Sequence, residues 1–140
     1  MKPLFRKAVV VSALAGLAIA ALPVSAHHTA SMFESRKTVQ LTGTIMEVHW
    51  TNPHVNIFVN ATLKPGGTLA PWLLEMTSPG NLVRNGWSKT ALKPGDKVVL
   101  EINPLRDDSA NGGRLVKATL VDSGQVYSTN YKELEEQGRY

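Results

Sequence analysis

The chain has 140 residues, with 15 Lys and Arg against 11 Asp and Glu and no cysteine. Its formal charge of +4 is a property of one end: Lys2, Arg6 and Lys7 lie within the first 26 residues, and the rest of the chain carries 12 basic against 11 acidic side chains. That near-balance argues against a nucleic-acid partner, and the lack of cysteine excludes disulfides, thiolate metal ligands and a cysteine nucleophile.

Residues 1–26 read as a signal peptide. The three cations form a basic n-region, and Ala8 to Leu22 is apolar apart from Ser12 and Gly16. Pro23 breaks the helix, and Val24-Ser25-Ala26 offers small residues for cleavage. An uncleaved anchor is the alternative, but a spanning helix needs about 20 apolar residues and this run is shorter. The expectation is export to a bacterial periplasm or beyond, with no integral membrane segment after cleavage. The mature chain of residues 27–140 suits one small domain, 27–127, followed by a polar tail, 128–140.

His27 to Arg36 is a polar, aperiodic lead-in containing Met32 and Phe33. Thr38 to Trp50 is rich in Thr, Val and Ile and reads as a strand. Val39, Leu41, Gly43 and Ile45 share one face, then the phase shifts to Val48 and Trp50, which predicts a bulge near Met46-Glu47. Thr51-Asn52-Pro53 is a turn. Val55, Ile57, Val59 and Ala61 alternate with polar or exposed positions and mark a second strand. A third runs from Pro71 to Thr77.

Ser78 to Trp87 reads as a short helix. Ser78 fits the N-cap and Pro79 the first helical position, and Gly86 can take the left-handed conformation just past the end. Val98, Leu100 and Ile102 mark a fourth strand, Asp107 to Gly113 a loop, and Val116, Ala118 and Leu120 a fifth strand. Arg84, Lys89, Lys93, Arg106 and Arg114 look like solvated turn residues. The fold class is all-β with one short helix. Three strands, a helix and two strands, with a long bent first strand, predict a five-stranded, OB-like, closed or partly open barrel.

Six motifs stand in order along the chain: His27-His28-Thr29, Leu41-Thr42-Gly43-Thr44, Trp50-Thr51-Asn52-Pro53-His54, Ser78-Pro79-Gly80-Asn81-Leu82, Arg84-Asn85-Gly86-Trp87 and Leu92-Lys93-Pro94-Gly95-Asp96. As a set they resemble the DUF6152 family of small exported bacterial proteins, which has no established activity. The resemblance implies export and a small single domain. It assigns no catalytic residue.

Cleavage after Ala26 would leave His27 as the first residue, pairing a free α-amine with an imidazole. Such a chelate suits Cu(II), which stands highest among divalent first-row ions. His54 is the first choice for a further ligand and His49 the second, with His28 adjacent; His27, His28, His49 and His54 are thus the metal candidates and copper the candidate cofactor. The arrangement is similar, in local chemistry alone, to the histidine brace of copper monooxygenases. An ordinary solvated start is the competing reading. So is a structural His54 whose ring nitrogen bonds the backbone of the Asn52-Pro53 turn.

Met46, His49 and Trp50, with Met76 nearby, form a second candidate for Cu(I), although Met76, which alternates with Trp72 and Leu74, and Trp50 read first as core. Glu47 and Glu75 could face each other across the sheet. Asp107-Asp108 lacks the oxygen spacing of a dedicated calcium loop. No nucleophile elbow, phosphate loop or His-Glu-x-x-His is present. The expectation is a binding or accessory protein rather than an enzyme. Copper binding is the first reading, a metal-free module with an unknown protein partner the second, and a histidine-brace copper oxidase the third.

Overall fold

The computed structural model describes residues 32–129. They form β1 (Val39–His49), β2 (Asn56–Thr62), β3 (Ala70–Glu75), α1 (Pro79–Arg84), β4 (Lys97–Pro104), β5 (Gly112–Leu120) and β6 (Val126–Ser128). The sheet runs β3-β2-β1-β4-β5-β6, and a parallel pairing of β3 with β5 joins its ends. Five strands therefore close into a barrel, with β6 as a short flap on β5. Strand order and helix position are compatible with an OB-like barrel.

β1 serves both neighbours because it is long and bent. Thr42 to His49 pairs with β2, and Val39 to Thr44 pairs with β4. The register shifts between Ile45 and Glu47, where the alternation of apolar residues changes phase. Gly43 lets the two strands approach: a Cβ there would stand 2.6 Å from Ala61 Cα and closer still to the Asn60 carbonyl. No side chain fits at that spacing. Leu41, Ile45, Ile57, Val59, Leu74, Leu100, Ile102 and Leu115 fill the interior.

α1 is stopped at both ends by the residues expected to stop it. The Ser78 side chain accepts from Asn81 N, and Pro79 opens the helix. Gly86 has φ 82°, and the Gly86 and Trp87 amides return to the Val83 and Leu82 carbonyls at 3.1 and 3.0 Å. That is the Schellman pattern, and it swings Trp87 back into the core.

Three expectations are corrected. The loop assigned to Asp107–Gly113 ends early, since Gly112, Gly113 and Arg114 already belong to β5. The Gly pair resembles a loop in sequence but lies at a tight seam, where a Cβ on Gly113 would meet the Asn103 carbonyl at 2.7 Å. Arg114 is 2% exposed rather than solvated. Glu47 and Glu75 do not face each other, because Glu47 pairs in register with Phe58 and Glu75 with Asn56.

The chain also stays packed past 127. Trp87 Nε1 donates to Ser128 O at 2.7 Å, and Thr129, fully buried, donates its hydroxyl at 3.1 Å to Leu115 O. The rest of the expected tail, and the expected signal segment, lie outside the described residues.

Candidate functional site

One polar cluster forms where β2, β3 and β5 meet the incoming lead-in. Ile57 and Leu74 point into the barrel, so their neighbours Asn56 and Glu75 point outward. Glu75 also lies in register with Arg114 across the parallel seam. His54 sits just before β2, on the face opposite buried Val55. Val55 N donates to Thr77 O at 3.2 Å and Met76 N to Val55 O at 2.8 Å, which pins this segment beside β3.

His54 Nδ1 lies 2.7 Å from Glu75 Oε1, and the two side chains are 31% and 21% exposed. The ring thus partners a carboxylate rather than the Asn52-Pro53 backbone, whose peptide bond is cis. Burial raises the Glu75 carboxyl above its ordinary range, and the His54 charge, its hydrogen bond and the Arg114 charge offset part of that rise.

The lead-in is tethered here. Phe33 is 2% exposed and bridges to Leu105. Glu34 N donates to Pro104 O, Arg106 N to Met32 O, both at 2.9 Å, and Arg106 Nε to Phe33 O at 3.1 Å. The Arg114 guanidinium lies 5.9 Å from the centre of the Phe33 ring, and its Nη2 donates to Asn103 Oδ1 at 3.3 Å. Phe33 was only an unexplained aromatic in a polar stretch; it is the residue that fastens that stretch to the barrel.

A recess of about 170 Å³ results. Met32, Phe33, Leu105, Asn56, Leu73 and Glu75 are among the residues that line it. Asn56 Nδ2 donates to the His54 backbone carbonyl at 3.4 Å, so the recess adjoins the His54 backbone, while the ring is not among its lining.

His27 and His28 lie outside the described residues, five and four positions before Met32. An extended chain spans at most about 3.3–3.6 Å per residue, so residue 27 has a reach of roughly 17 Å from Met32. His49 stands elsewhere, hydrogen-bonded at 2.5 Å to Glu47 and edge-on to Phe58 with ring centres 5.1 Å apart. Met46 is exposed, Trp50 is half-buried against the core, and Met76, at 1% exposure, is core. Asp107 accepts from Ser109 N at 2.9 Å and serves its own turn.

Among the described residues no group of three or more His, Cys, Asp or Glu could hold a metal ion, so His54 and Glu75 are two donors in need of others. Among those residues too, no helix is long and apolar enough to cross a membrane.

No curated protein and no solved structure matches the chain. The pattern described as "Family of unknown function (DUF6152)" matches residues 13–114, which takes in the lead-in, His54, Glu75 and Arg114. With most of its length inside that match, the chain belongs to the DUF6152 family.

Proposed function

We propose that the protein is an exported copper-binding accessory protein whose site joins His54 and Glu75 to the amine and imidazole of a mature terminus at His27. The single observation that carries this reading is the pair His54 Nδ1 and Glu75 Oε1, 2.7 Å apart beside the tethered lead-in. First-row ions bind nitrogen and oxygen at about 2.0–2.2 Å. Donors at right angles in a tetragonal Cu(II) site then stand about 2.9 Å apart. The pair is close to that spacing without an ion. The His27 chelate would supply two more nitrogens from within reach of Met32, with His28 as the next candidate; His49, bonded to Glu47, is not part of this set.

Copper titration of a chain processed after Ala26 tests this. The expected result is one Cu(II) per chain, lost in His54→Ala and weakened at least tenfold by an extra residue before His27. Affinity should fall with decreasing pH, because the α-amine and imidazole must be deprotonated to bind. A processed wild-type chain that holds no copper at micromolar concentration refutes the proposal.

A second reading, a metal-free interaction module, draws on Phe58 and Leu73. They are register neighbours on the outer face of β2 and β3, 36% and 46% exposed. The same titration separates it from the first, since it requires no metal and no defined terminus.

A further inference from the structure

We infer that one mouth of the barrel is a binding site for a neutral oligosaccharide, with Trp72 as the platform on which a sugar ring stacks. The starts of β1, β3 and β5 and the ends of β2 and β4 meet at this mouth, because Val39 pairs with Ile102, Ala61 with Ala70 and Leu73 with Gly112. Trp72 shares the inward phase of buried Leu74. It stands at the open end, so it packs against the core yet stays only half-buried. Two recesses of about 240 and 270 Å³ adjoin there, sharing Trp72, Leu63 and Asn111. Barrel mouths are common places for small-ligand sites. This site is independent of the copper reading.

A sugar ring has a face of C–H groups and a rim of hydroxyls. The face is apolar and gains by covering an aromatic ring, while the hydroxyls need hydrogen-bond partners when they leave water. The mouth offers both. Lys37, Asp107, Asp108 and Asn111 line one recess, and Lys64 and Thr68 the other. Two cations balance two anions, which favours neither an anionic nor a cationic ligand. The rim is ordered by its own bonds: Thr62 Oγ1 donates to Lys64 O at 3.1 Å, and Asp107 Oδ1 accepts from Ser109 N at 2.9 Å. Leu73 N donates to Asn111 O at 3.1 Å, so the Asn111 backbone is fixed while its side chain is exposed. Among the described residues, nothing hydrogen-bonds the Trp72 indole N–H or the Asp108 carboxylate, which leaves both for a ligand. Each recess is smaller than a drug-sized pocket of about 300–1,000 Å³, and so suits a single sugar ring, with Trp72 between the two.

The test titrates the isotope-labelled chain, processed after Ala26, with cellotetraose, maltotetraose and chitotetraose in turn. At least one of them should shift the Trp72 indole N–H resonance with a Kd of about 1 mM or tighter. Trp50, just past the far end of β1, and Trp87, bonded to Ser128 O, should keep theirs. Trp72→Ala should lower the affinity at least tenfold, and Trp72→Tyr, which keeps an aromatic face, less than threefold, in chains whose thermal melts show them folded. If Trp72→Ala does not fold, Asp108→Ala at its exposed position decides: a loss of at least threefold supports the mouth site, and unchanged affinity overturns it. A Trp72 resonance that no tetrasaccharide moves at about 10 mM overturns the assignment, as does a folded Trp72→Ala chain that binds like the wild type.

Discussion

Removing the Phe33 ring should show whether the lead-in belongs to the domain. Phe33 is 98% shielded, although it lies outside the five barrel strands. A buried aromatic side chain removes about 150–250 Å² from water. At about 25 cal/mol per Å², that corresponds to roughly 4–6 kcal/mol as an upper bound. Phe→Ala substitutions in cores cost about 3–5 kcal/mol.

The Arg114 contact adds about 0.5–2 kcal/mol when the cation is desolvated, but an uncovered Arg114 would regain water. We expect Phe33→Ala to lose about 3–4 kcal/mol by urea unfolding, and Phe33→Leu, which keeps most apolar cover, about 1 kcal/mol. Copper affinity should fall in Phe33→Ala as well, because an untethered arm lowers the effective concentration of the terminus at His54. A stability loss under about 0.5 kcal/mol, the size of a surface substitution, would refute the claim that Phe33 docks the lead-in.

Three further outcomes are expected. Gly43→Ala should cost about 2–3 kcal/mol in chemical denaturation, since its methyl group would meet the β2 backbone rather than a movable side chain. Thr129→Val should cost about 1–2 kcal/mol by the same measurement, because the fully buried hydroxyl donates to the Leu115 or Val116 carbonyl. Glu75→Gln should flatten the stability–pH profile. With the folded carboxyl raised above 4.5, its contribution is fully present below that pH and is lost as pH rises through the folded value. The wild type should therefore lose stability relative to Glu75→Gln over that window in thermal melts.

The barrel was legible because its signals are local. Period-two alternation placed four inward faces, the phase slip at Met46-Glu47 marked the bulge, and Ser78, Pro79 and Gly86 bounded the helix. What could not be read depends on partners distant in sequence. Gly112-Gly113 carries the composition of a loop, and only the return of β5 to β3 makes those glycines a seam. Arg114 reads as a surface cation until Phe33, from 81 positions upstream, covers it. β6 is three residues long, too short for alternation to register. His54 was singled out from its motif, but its carboxylate partner was not, because Glu75 meets it only through the β2–β3 register.

The parallel β3–β5 seam also bears on when the site can exist. Leu73 and Gly112 are 39 positions apart, and no tight turn can bring them together as one joins a hairpin. Loop-closure entropy opposes such a pairing until the intervening elements are in place, so it belongs to the late part of folding. Glu75 and Arg114 sit on that seam, and Phe33 settles on the surface it completes. A chain that ends before β5 thus has His54 and Glu75 side by side through the β2–β3 pairing, but neither Arg114 beside them nor a docked arm. The recess beside Glu75, which needs both the arm and the glycines of β5, is therefore a product of the completed barrel and not of any one hairpin.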